Sequence, residues 1–92
     1  MIIEYNPLFN KQFNQVWNYI AQDSVKKANS FKKQIKKEIE NIVNFPYKFR
    51  KSFYFDDENI RDFVYKGYTI PYLVDIENEK IIILDIFKWQ DR

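Results

Sequence analysis

Two apolar stripes at helical spacing, parted only by Asp23-Ser24, constrain this chain more than any other feature. The first sets Phe9, Phe13, Val16, Trp17 and Ile20 at steps of four, three, one and three. The second sets Ala28, Phe31, Ile35, Ile39 and Ile42 at steps of three, four, four and three. Each spacing gathers its apolar residues on one helix face. So short a break between two helices implies an antiparallel hairpin, with Asp23-Ser24 capping the second helix. Asn6-Pro7 marks the start, as N-cap and first helical residue, and Phe45-Pro46 marks the stop, because the residue before proline disfavours helix.

A hairpin with one apolar face needs a second layer to bury it. The rest of the chain predicts strands. Met1 to Tyr5 reads as a short first strand. Ile60 to Tyr65 and Tyr68 to Asp75 are joined by Lys66-Gly67, where the single glycine of the chain suits a turn needing positive φ. Glu77-Asn78-Glu79 is the next turn, and Ile81 to Phe87 is the last strand, apolar apart from Asp85. Pro71 interrupts the middle strand, so it must sit at an edge, at a bulge, or where its missing N–H points away. The expected fold is α+β: an N-terminal strand, a helical hairpin and a three-strand meander in one domain spanning residues 1–92. The sheet is expected to be small and antiparallel.

Composition narrows the chemistry. There is no cysteine and no histidine, which argues against a zinc site, a thiol nucleophile or a histidine-based triad. No cofactor or metal is implied. Asp56-Asp57-Glu58 diverge in direction along a loop and are read as solubilising a turn. The N-terminus is too short and acidic for a signal peptide, and no apolar run approaches the length of a membrane span. A cytoplasmic location is the expectation. Aromatic residues are 20% of the chain, which compensates for the modest core of a small domain.

The net charge of +2 is unevenly distributed. Residues 26–51 hold nine Lys and Arg against two Glu, whereas residues 52–92 hold five against nine acidic residues. Polarised charge speaks to partners: the basic part suits nucleic acid, an acidic protein segment or plain solvent. Between Pro46 and Asn59, aromatic and basic residues alternate, a pattern that stacks on bases and holds phosphates or else packs over one end of the core. Lys48, Arg50 and Lys51 are the candidate nucleic-acid contacts there.

Residue order and spacing resemble one known family. Val16-Trp17-Asn18-Tyr19-Ile20-Ala21-Gln22-Asp23-Ser24, with Ala28 and Phe31 after it, is similar to the helical hairpin of the RelE/ParE toxins. Ile60-Arg61, Lys66-Gly67-Tyr68, Tyr72-Leu73-Val74-Asp75 and the strand ending in Phe87 are similar to that superfamily's β-meander. The resemblance covers essentially the whole chain. It implies a β-α-α-β-β-β fold and a bacterial, growth-inhibiting toxin of a type II toxin–antitoxin system, of the kind that stabilises plasmids. A cognate antitoxin would neutralise it in a hetero-oligomer.

Two activities follow from the resemblance. ParE-like members poison DNA gyrase and are not enzymes of RNA cleavage. RelE-like members cut messenger RNA on the ribosome without a metal, using cationic side chains to offset phosphate charge. Thr69 stands where RelE proteins carry arginine, and the chain ends at Arg92 with no downstream tyrosine. Both departures favour the ParE-like, non-enzymatic reading. Arg61, Tyr72, Lys88, Trp89 and Arg92 are the expected contacts with target or antitoxin. Arg61, Lys88 and Arg92 would be the catalytic cations if the chain were a ribonuclease.

Overall fold

A computed structural model describes residues 1–88 and contains strand β1 (Ile2–Tyr5), helices α1 (Pro7–Asp23) and α2 (Val25–Ile42), and strands β2 (Ile60–Tyr65), β3 (Tyr68–Asp75), β4 (Lys80–Ile83) and β5 (Phe87–Lys88). Both helix starts follow from local chemistry. The Asn6 side chain accepts from the Leu8 N–H at 2.9 Å with Pro7 entering the first turn, and Ser24 Oγ accepts from the Lys27 N–H at 3.1 Å. Each cap supplies an acceptor to a donor that has no partner within its helix.

α2 buries Ala28, Phe31, Ile35, Ile39 and Ile42, the whole predicted stripe. α1 buries Phe9 and Phe13, while Val16, Trp17 and Ile20 pack half-buried at the margin. Phe9, Phe13 and Phe31 form a run of rings with centroids 5.6 and 6.2 Å apart, which ends against Tyr65 and Tyr68 of the sheet. Fully burying an isoleucine or phenylalanine contributes about 1.5–3 kcal/mol, so these side chains hold the two layers together.

The sheet runs β1-β4-β3-β2, with β5 also pairing β3. β1 lies parallel to β4, with Ile3 opposite Ile81. The sheet is therefore mixed, where the sequence reading expected an antiparallel one. Entry through α1 and α2 is a long crossover, and such a crossover is what permits parallel pairing. Lys66 and Gly67 both take positive φ, 49° and 85°, as a two-residue hairpin turn requires.

The last strand departs from expectation in an informative way. Ile81 to Phe87 is not one strand; it divides into β4 and β5. Tyr72 pairs with Ile83, and the Leu84 N–H reaches the Pro71 carbonyl at 2.9 Å. Thr69, however, pairs with Phe87. Two residues, Asp85 and Ile86, thus oppose Ile70 alone, which is a β-bulge. Strict alternation from Ile81 and Ile83 would point Asp85 into the core. The bulge puts Ile86 there instead, 1% exposed, and leaves Asp85 half-buried with its carboxylate accepting the Ile86 N–H at 2.7 Å. Burial still pushes the Asp85 carboxyl above the usual range. Because a strand residue's N–H and C=O point the same way, the missing donor of Pro71 falls on the interrupted side, and the β2 ladder is unharmed.

Candidate functional site

Between α2 and β2 the chain is held by β2 and β3 themselves. Arg61 and Tyr72 are directly opposite each other in the β2–β3 register, on the face that the helices cover. The 45–59 segment closes over them. Tyr72 has no exposed surface, and its hydroxyl donates to the Pro46 carbonyl at 2.6 Å. Burial raises the Tyr72 hydroxyl well above the ordinary tyrosine range, with the Arg61 charge opposing that shift. Arg61 donates from Nε to the Glu58 carbonyl and from Nη1 to the Phe49 carbonyl, both at 3.2 Å. Its guanidinium lies 4.8 Å from the Tyr47 ring centroid. Tyr47 in turn donates to Asn59 Oδ1 at 2.6 Å. One arginine and one tyrosine therefore fix both ends of a segment that has no regular structure of its own.

The other side of the segment is pinned to the edge of β2. The Asp62 N–H donates to the Arg50 carbonyl and the Ser52 N–H to the Ile60 carbonyl, with Lys51 bridged to Arg61. This supplies the short strand-like stretch that covers the exposed edge. Asp62 is fully buried; its Oδ2 accepts from the Phe53 N–H at 3.1 Å and lies 3.7 Å from Arg50. Arg50 stacks over Phe53 at 4.2 Å, Lys48 lies 5.5 Å from the Phe49 ring, and Lys51 reaches Asp56 and Glu58 at 3.9 and 3.5 Å. Asp56 and Glu58 thus pair with Lys51, Asp57 accepts from the Asn59 N–H, and among the described residues no cluster of His, Cys, Asp or Glu could hold a metal. Phe45 and Phe53 stay largely exposed, at 69% and 74%.

Beneath this segment, on the sheet face away from the helices, three buried side-chain oxygens have no hydrogen-bond partner among the described residues: Tyr54 Oη, Asp62 Oδ1 and Thr69 Oγ1. The Tyr54 ring meets Phe87 edge-on at 5.0 Å, and Phe87 pairs with Thr69. Sequence reasoning missed Asp62 and Tyr54. The signal for Asp62 was available: it interrupts the apolar alternation of Ile60 and Val64.

Of the predicted site residues, Arg61 and Tyr72 are brought together across β2 and β3, with Lys51 bridged to Arg61, whereas Lys88 lies apart. Tyr72 is part of the core, with no exposed surface and its hydroxyl held by the Pro46 carbonyl. Lys88 lies 5.5 Å from the Tyr68 ring and pairs with Tyr68, four positions along β3 from the partner of Arg61. Four strand positions are roughly 13 Å. Trp89 and Arg92 lie outside the described residues.

The family model for the ParE toxin of the type II toxin–antitoxin system parDE matches residues 3–91. The chain belongs to the ParE toxin family. Among solved structures, a chain of the chromosomal ParDE toxin–antitoxin system from P. aeruginosa superposes with a TM-score of 0.75 at 13% identity, covering 96% of this chain and 95% of that one. The isolated E. coli RelE toxin superposes with a TM-score of 0.71, also at 13% identity, covering 99% of this chain and 86% of that one. No curated protein matches by sequence. The fold is thus that of the RelE/ParE toxins. Within it, the position after Gly67-Tyr68 of this ParE-family chain is a fully buried threonine, which presents no cation to a substrate. No described helix is long and apolar enough to cross a membrane.

Proposed function

We propose that this ParE-family chain inhibits growth by binding DNA gyrase, without cutting RNA, and that a cognate antitoxin neutralises it in a hetero-oligomer. One observation carries the choice of target: Arg61, the cation best placed for phosphate chemistry, is committed to backbone carbonyls of its own chain. RNA cleavage of the RelE kind needs several cations converging on one phosphate. Here Lys88 is about 13 Å along the strand from Arg61, and Thr69 is buried. The match to a parDE toxin model supports the same target.

The test is induction of the chain in cells lacking antitoxin, with growth, nucleoid morphology and translated RNA scored together. Growth arrest with abnormal nucleoids and no new RNA 5′ ends is the expected result. New 5′ ends in translated messages that disappear in Arg61→Ala would replace the gyrase reading with the nuclease one.

A further inference from the structure

The solvent side of α2 is a cationic face with no assigned role. Taking 100° per residue, Lys26, Lys33 and Lys37 fall opposite the buried Ile35–Ile39 stripe, and Lys32 and Lys36 flank them on one side. All five are exposed. Among the described residues none of the five reaches a carboxylate or an aromatic ring; on this helix Lys27 alone forms an ion pair, with Asp23 at 3.4 Å. Glu40 is the one carboxylate within the lysine face, between the directions of Lys33 and Lys36, and Glu38 lies off it beside the buried stripe. Glu40 sits at the C-terminal end, where its charge acts on the Tyr5 hydroxyl. At the N-terminal end Lys26 also lines an open cleft of about 840 Å³ with Lys27, Lys66 and Tyr65.

We propose that this face binds the phosphate backbone of duplex DNA without reading its sequence. The inference does not rest on the gyrase reading. Protein interfaces are depleted in lysine and are anchored by aromatic or apolar side chains, and this face of α2 offers only Val25, at its first residue. Single-stranded nucleic acid is held by stacking on a series of aromatic rings, whereas here Tyr65 alone, in the cleft beside Lys26, offers a partly exposed ring. A duplex backbone demands only a row of point charges. Lys26 to Lys37 spans about 16 Å of helix, enough to meet roughly five phosphates of one strand. The acid-rich 52–92 half of the chain repels DNA and orients the encounter through α2.

The experiment is fluorescence anisotropy of the purified chain with a labelled 20-base-pair duplex, at several salt concentrations. Binding should weaken with salt at a log–log slope of about −3 to −5, as expected for three to five phosphate contacts. Replacing Lys26, Lys33 and Lys37 together with Gln should flatten the slope by nearly three, with an unchanged circular dichroism spectrum. Replacing Lys48, Arg50 and Lys51 with Gln should change it by less than about one. The proposal fails if the unmodified chain shows no salt-dependent binding, or if the loop triple variant loses the slope and the α2 variant keeps it. It also fails if polyglutamate of equal charge, single-stranded DNA or duplex RNA competes as well as duplex DNA; the first of these outcomes would mark an acidic protein segment as the partner.

Discussion

The two basic regions of this chain carry their charge for opposite purposes. On α2, the five lysines Lys26, Lys32, Lys33, Lys36 and Lys37 hold no ion pair or ring contact among the described residues. Between residues 48 and 61, every cation already has an intramolecular partner: Lys48 a ring, Arg50 a ring and Asp62, Lys51 two carboxylates, Arg61 two carbonyls, the Glu58 carboxylate and a ring. Charge counted along a sequence cannot separate these cases. Availability can, and it reverses the ranking that aromatic–basic alternation alone suggests.

The largest expected effect is on the committed side. Arg61→Ala removes two charge-assisted hydrogen bonds and the contact with Tyr47, and should cost about 2–3 kcal/mol in urea unfolding. The 45–59 segment should also become the first site of proteolytic cleavage. A cost below about 0.5 kcal/mol, the usual range for surface substitutions, would mean that Arg61 is free to act on a partner. Tyr72→Phe comes next, at about 1 kcal/mol for one buried hydrogen bond.

Tyr72 also predicts a pH dependence. Its folded pKa lies above its unfolded one, so its contribution is complete below pH ~10. Above that, the unfolded chain releases a proton that the folded chain retains, and stability falls by about 1.4 kcal/mol per pH unit for this group. Tyr5 is shifted in the same direction by burial and by Glu40 and adds to the slope. Tyr72→Phe should therefore reduce the alkaline slope without abolishing it, and an identical slope in the variant would show that the hydroxyl is not held as described. The smallest effect belongs to the lysines. The Lys26, Lys33 and Lys37 triple Gln variant should unfold within about 0.5 kcal/mol of the parent, because the face does nothing for the fold.

Legibility in the sequence follows the same division between local and distant causes. The hairpin, both helix caps, β2, β3 and the Lys66-Gly67 turn depend on neighbours within a few positions, and the residues reveal them. The parallel pairing of β1 with β4 joins positions nearly eighty residues apart and leaves no local mark. The bulge at Asp85-Ile86 left two marks, Pro71 and a lone carboxylate in an apolar run, but their connection appears only once Pro71 and Leu84 are seen to face each other. Arg61 was singled out through the family resemblance. Its attachment to the carbonyls of Phe49 and Glu58 depends on how an irregular segment folds back, which no spacing rule encodes. The lysine face of α2, by contrast, is readable from helical geometry alone.

The choice of target is tested most directly by supercoiling of relaxed plasmid by purified gyrase in the presence of increasing amounts of the purified chain. The account predicts a dose-dependent loss of supercoiled product, relieved by prior addition of the cognate antitoxin. Undiminished supercoiling at a large excess of folded chain would contradict it.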